Sequence, residues 1–162
     1  MNNIFSGSEV IEMGINIEKN GRDFYNKVSS SSKNKKAKEI FDFLAKEEEK
    51  HIERFEVLLN GVEKYEPQGA YSGDYFSYIK ALSDEHVFTK KDKGSSLAET
   101  VSSDIQAIDM AIGFERDSIL FYHEMKRFTL EKEAGIVDKL LDEERAHLTR
   151  LLGLRRVLWQ KT

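Results

Sequence analysis

Four long amphipathic segments, a single proline and one anomalous connection predict an all-α fold. The expected architecture is a four-helix bundle of two helical hairpins joined by one long crossover. One proline among 162 residues leaves room for long uninterrupted helices. In each of the four segments apolar residues recur at alternating three- and four-residue steps, the period that lines one face of a helix. A chain of this length is expected to form one domain, residues 1–162, with residues 62–97 as the crossover within it.

The first helix is predicted from about Ser8 to Ser29, with Ile11, Gly14, Glu18, Gly21, Tyr25 and Val28 facing inward. Ser6 and Glu9 have the spacing of a capping box at its start, and the serine run Ser29 to Ser32 loosens its end. The second runs from about Asn34 to Asn60 on a seam of Phe41, Leu44, Glu48, His51, Phe55 and Leu58. Asn60-Gly61 supplies a stop, since glycine accepts the left-handed conformation past a helix end. The Lys33 to Lys38 cluster reads as a solvated helix start.

The third helix is expected to begin near Ser96, which with Glu99 repeats the capping-box spacing. Its seam is Val101, Ile105, Ile108, Ile112, Glu115, Ile119 and Tyr122. The fourth spans about Glu131 to Trp159, with Val137, Leu140, Glu144, His147, Leu151, Leu154 and Leu158 inward. The intervening stretch holds Pro67 and four tyrosines, Tyr65, Tyr71, Tyr75 and Tyr78. A connection this long is explained if it travels the length of the bundle, and Tyr75 to Leu82 reads as a short helix packed on the outside.

Composition excludes several classes of function. Without cysteine there are no disulfides, iron–sulfur clusters, thiolate zinc sites or cysteine nucleophiles. A net charge of −4 without a basic stripe gives no support to nucleic-acid binding. No apolar run is long enough to span a membrane, and Met1 to Ser8 lacks the pattern of a signal peptide, so a cytoplasmic protein is expected.

Six inward positions are ionisable: Glu18, Glu48, His51, Glu115, Glu144 and His147. Register singles them out, because Glu47, Glu49, Glu53 and Arg54 fall off the seam that carries Glu48 and His51. Likewise Asp142, Glu143 and Arg145 fall off the seam of Glu144 and His147. Four buried carboxylates would not persist in one core without compensating charge. Two divalent metals supply that charge, with two neutral imidazoles completing the ligand set. Glu-x-x-His places both ligands on one helical face about one turn apart. A lone copy is ordinarily a surface pair; here Glu48-x-x-His51 recurs as Glu144-x-x-His147, and Glu18…Tyr25 recurs as Glu115…Tyr122 at nearly the same offset. Each hairpin therefore offers one half-site. Tyr25 and Tyr122 lie two turns beyond their glutamates and read either as core tyrosines or as supports of a carboxylate ligand. His123 reads as a surface histidine and His86 as a linker residue.

The segment Ala111 to Tyr122 (AIGFERDSILFY), followed by Leu141 to Leu148 (LDEERAHL), resembles the rubrerythrin-like branch of the ferritin-like superfamily. Ile17-Glu18 through Phe24-Tyr25, then Glu47 to His51, match the same pattern in the first half. One glutamate from each of two helices plus Glu-x-x-His from each of the other two is the general ligand arrangement of such bundles. The resemblance implies two iron ions, with manganese or zinc also suited to the donors. It implies Glu48 and Glu144 as bridging carboxylates, Glu18 and Glu115 as terminal ligands, and one histidine on each metal. Two departures stand out. The cysteine-bearing electron-delivery domain of rubrerythrins proper has no counterpart here, and their additional glutamate three residues after the third-helix ligand is replaced by Ser118. The remaining set is similar in that respect to bacterioferritin's, although Glu49 stands where the haem-binding methionine would be.

The resemblance implies a di-iron oxidoreductase that reduces peroxide or dioxygen with electrons from an external donor protein, as a homodimer. Two other functions fit the residues: a ferroxidase or iron-handling protein, and a metal-stabilised interaction protein. The net charge equals that of Glu18, Glu48, Glu115 and Glu144, so the rest of the chain is balanced.

Overall fold

The computed structural model describes residues 6–64 and 73–160, and among these there is no strand. Six α-helices follow one another: α1 (Gly7–Ser31), α2 (Lys35–Lys64), α3 (Gly73–Glu85), α4 (Gly94–Glu99), α5 (Asp104–Met125) and α6 (Ala134–Trp159). The chain belongs to the predicted class. Helices α1 and α2 form one hairpin, α5 and α6 the other, and α3, a 3-10 turn (Val87–Thr89) and α4 lie between them in sequence. Pro67, Tyr65 and Tyr71 lie outside the described residues, as does most of the segment read for a signal peptide. No helix is long and apolar enough to cross a membrane among the residues described.

The predicted cap of α1 forms: the Ser6 side chain accepts from the Glu9 N–H at 3.2 Å, and Glu9 Oε2 accepts from the Ser6 N–H at 2.7 Å. Helix α1 continues two residues past Ser29 to Ser31, and the Ser30 and Ser31 hydroxyls donate back to the Lys27 carbonyl. Asn34 caps α2, its Oδ1 accepting from the Ala37 N–H at 3.0 Å. The seam positions Phe41, Leu44, Phe55 and Leu58 of α2 and Ile11 and Val28 of α1 are buried together. Gly14 lets the helices meet, because a Cβ there would stand 2.7 Å from Cε1 of Phe55.

Two expected boundaries are corrected. Helix α2 does not stop at Asn60-Gly61; it runs on to Lys64, because Val62 is still a fully buried core residue. Gly61 serves close approach instead, as the Glu133 carboxylate lies where its Cβ would be. Nor does the third bundle helix start near Ser96. That residue sits inside α4, its hydroxyl donating to the Lys93 carbonyl, while α5 starts at Asp104 under the Ser103 cap.

The break has a cause in α1. Asn20 Nδ2 donates to the carbonyls of Phe88 (2.8 Å) and Lys90 (2.6 Å), and its Oδ1 accepts from the N–H groups of Lys93 (2.8 Å) and Gly94 (2.9 Å). Gly94 lies so close to the Asn20 backbone that any Cβ would overlap it. With α4 clamped against α1, the chain has to turn between Thr100 and Ser103 before α5 can join the bundle.

The expected short helix at Tyr75 to Leu82 is α3, longer by a few residues and anchored by the fully buried Ile79. Tyr75 donates to the carboxylate of Glu124 at 3.0 Å, tying it to the end of α5.

Candidate metal centre

The six ionisable seam residues converge at the middle of the bundle. Glu18 comes from α1, Glu48 and His51 from α2, Glu115 from α5, Glu144 and His147 from α6, and none is more than 4% exposed. Their ligand atoms fall into two groups, each within 4.8 Å: Glu18, Glu48, His51 and Glu144, then Glu48, Glu115, Glu144 and His147. Glu48 and Glu144 belong to both. Sharing follows from the pairing of hairpins, since each Glu-x-x-His helix lies between the two half-sites.

The contacts crowd several carboxylate oxygens onto single ring nitrogens. His51 Nδ1 faces three carboxylate oxygens at once: Glu18 Oε2 and Glu48 Oε2 at 3.2 Å, and Glu144 Oε1 at 2.8 Å. One ring nitrogen can satisfy at most one of them. Glu144 Oε1, despite the short distance, is off the direction of donation and has no hydrogen-bond partner. His147 Nδ1 is likewise unpaired, with oxygens of Glu48, Glu115 and Glu144 at 3.7, 3.8 and 3.7 Å. Unpaired buried polar atoms are rare in folded proteins and call for an ion or a solvent molecule. Carboxylate and imidazole donors in this number fit two divalent ions of the first transition row.

Electrostatics tell the same story. Burial, then the charges of Glu18 and Glu144, pushes the Glu48 carboxyl well above the carboxylate range. Burial, then Glu144, raises Glu115 to about 8. Burial acts to lower His147, but the negative charge of Glu115 and Glu144 outweighs it and raises the imidazole to about 11. His51 is raised for the same reason by Glu18 and Glu144 against its burial. Glu144 moves the other way: burial would raise it, yet its bond from Glu115 and the neighbouring imidazoles hold it well below the usual range. Without bound cations, burial and the crowded charges favour protons on Glu48, Glu115 and both imidazoles.

Surrounding groups fix the ligands in place. Tyr25 on α1 donates to Glu115 on α5, while Tyr122 on α5 donates to Glu18 on α1. Each tyrosine therefore supports the glutamate of the opposite helix. The paired numbers rise along α1 as they fall along α5, so the two helices are antiparallel. Glu143, off the seam and only partly buried, was not singled out by sequence reasoning. Its Oε2 lies 3.0 Å from His51 Nε2 and also pairs with Arg54. Directing Nε2–H at Glu143 leaves Nδ1 to face the carboxylates. The signal available for it was the acidic residue immediately before Glu144.

His86 lies in the crossover, as expected of a linker residue, but it is a buried neighbour of this cluster, 2% exposed. Its Nε2 lies 3.2 Å from Ser118 Oγ, and its Nδ1 accepts from the Phe88 N–H at 3.4 Å. Burial lowers its pKa to about 4, partly opposed by Glu144, so the ring is neutral. No periodic pattern marks it, because the crossover delivers it from outside the bundle. His123 is exposed, as expected, with its Nε2 3.1 Å from Arg145. A cavity of about 10 Å³ borders the carboxylates, lined by the four glutamates, Ser118, Phe88 and Phe114 among others. Neither ligand-facing histidine lines it.

Comparison with known proteins agrees with this arrangement. The Rubrerythrin family model matches residues 9–155, nearly the whole chain and all six clustered residues. No curated protein and no solved structure matches. Helical bundle, paired half-sites and family match together lead to one conclusion: the chain belongs to the rubrerythrin family, within the ferritin-like di-iron carboxylate superfamily.

Proposed function

We propose that the protein holds two iron ions and works as an oxidoreductase that reduces peroxide or dioxygen with electrons from a separate donor protein. The observation that carries this reading is the pair of overlapping ligand groups sharing Glu48 and Glu144, with Glu144 Oε1 and His147 Nδ1 unpaired. Glu48 and Glu144 would bridge the ions, Glu18 and His51 would complete one coordination sphere, and Glu115 and His147 the other. Bound iron supplies redox electrons and Lewis acidity at open coordination positions. Tyr25 and Tyr122 hold the terminal carboxylates by donating to them, and Glu143 orients His51. Phe88 and Phe114, whose ring centroids are 4.0 Å apart, limit access of water to the cavity. With no cysteine in these residues to carry an electron-delivering centre, a separate donor is favoured.

Stopped-flow mixing of anaerobic ferrous-loaded protein with peroxide tests it. Oxidation should be faster than that of free ferrous ion, and a reductant should return the same protein to the ferrous state over repeated cycles. A rate no greater than that of free iron would sink the proposal. Iron handling is a second reading, favoured by Ser118, which leaves four glutamates and two histidines without a further carboxylate at that position. Release of ferric ion after a single oxidation would support iron handling over catalytic turnover.

A further inference from the structure

We infer that Ser118 is the hydrogen-bond donor to the small acceptor molecule that enters the cavity beside the carboxylates, and that His86 is the positioning residue that aims it. This inference rests on the two-metal reading of the site and assigns the chemistry of its open face.

Hydrogen-bond direction carries the argument. The Phe88 N–H donates to His86 Nδ1, so in the neutral ring the proton resides on Nε2. Nε2–H then donates to Ser118 Oγ at 3.2 Å. A hydroxyl that accepts from the imidazole keeps its own proton to give away. On α6, Thr149 spends its proton on the Arg145 carbonyl at 2.8 Å, but Ser118 makes no such bond to its own helix. Ser118 lines the cavity, and the hydroxyl of Tyr25, another lining residue, is already committed to Glu115. Glutamates held ionised by bound divalent ions can only accept. Among the described lining side chains, Ser118 is therefore the one with an uncommitted hydroxyl proton. A space of about 10 Å³ suits a single water-sized group. The chemistry selected is a small hydrogen-bond acceptor: water itself, or one oxygen of peroxide. The crossover thus contributes to the site as well as connecting the hairpins, since Asn20 fixes Phe88 and Phe88 fixes the His86 tautomer.

Azide titration of full-length, dicobalt-substituted protein, followed in the visible cobalt bands, tests the inference without relying on turnover. Ser118→Ala should bind azide at least about tenfold more weakly, the effect of losing a hydrogen bond to a charged acceptor. His86→Leu should weaken azide severalfold, and His86→Gln, which keeps an N–H donor, should restore part of the loss. The ¹⁵N spectrum of His86 should show a neutral ring protonated on Nε2. A Ser118 that served only packing would shift the melting temperature and leave azide affinity unchanged, which would overturn the inference. So would a His86 protonated on Nδ1, or a fully loaded protein whose spectrum azide does not alter. Failure to bind two cobalt ions per chain overturns the two-metal reading and this inference with it. Full loading with equal azide affinity in Ser118→Ala overturns this inference alone.

Discussion

Stripping the metals should reverse the sign of the protein's response to pH. In the metal-free cluster Glu115 titrates near 8 rather than at 4.5, so the folded chain holds a proton there that the unfolded chain has already lost. Between those values the native state binds more protons, and stability falls as pH rises. Each pKa unit corresponds to about 1.4 kcal/mol, so Glu115 alone would lose up to about 5 kcal/mol across that window. His147, raised from 6.5 to about 11, acts in the same direction: its contribution is complete below 6.5 and is lost as pH rises through 11. Glu144, held low, contributes oppositely; its stabilisation is present above 4.5 and disappears only as pH falls further. Protons in such a cluster are shared, so the measurable quantity is the sum over the site, several kcal/mol from pH 5 to pH 8. Bound divalent ions hold the carboxylates ionised and displace the imidazole protons, so metal-loaded protein should instead lose stability as pH falls. Urea titrations of chelator-treated and zinc-loaded protein at pH 5, 6, 7 and 8 would resolve the two trends. Parallel curves, both gaining stability with pH, would refute the reasoning.

Four further outcomes follow at single residues. Asn20→Ala should destabilise the fold by about 2–4 kcal/mol in urea unfolding. The carbonyl of Phe88 and the N–H of Gly94 lose buried partners, while those of Lys90 and Lys93 can turn to water; amide exchange should quicken across 88–94 and stay unchanged in α6. Glu143→Ala should weaken metal binding about tenfold by competition with a chelator, the low end for losing an outer partner of a histidine ligand, because water can replace this partly exposed carboxylate. Gly14→Ala should destabilise by about 1 kcal/mol or more despite alanine's better helix propensity, since the Phe55 ring it strikes is wedged 5.0 Å from Tyr122. Gly153→Ala, with nothing within 4 Å of its Cβ, should instead stabilise by about 0.5–1 kcal/mol in the same assay.

Legibility varied along the chain for physical reasons. The seams could be read directly: a helix buries one stripe, and positions such as Leu44, Glu48, His51 and Phe55 share it through covalent geometry alone. Caps were legible where their partners are local, as at Ser6 and Glu9. Boundaries failed where a distant group intervenes. Gly61 has the composition of a stop, but Val62 beyond it packs in the core and Glu133 approaches the glycine. Ser96 and Glu99 have capping-box spacing, yet Asn20 on α1 pins the preceding turn and moves the start of the bundle helix to Asp104.

The same division runs through the site. Residue types and their register determined that four carboxylates and two imidazoles must share the interior, because helical periodicity is a local property of the chain. Which atoms meet depended on packing between hairpins. That Tyr25 serves Glu115 and Tyr122 serves Glu18, that Glu143 turns His51, and that the crossover brings His86 to Ser118 are all contacts between segments far apart in sequence. No periodicity encodes such pairs. They exist because α1 and α5 pack antiparallel and because side chains such as Asn20, Asn16 and Tyr75 hold the crossover against the bundle.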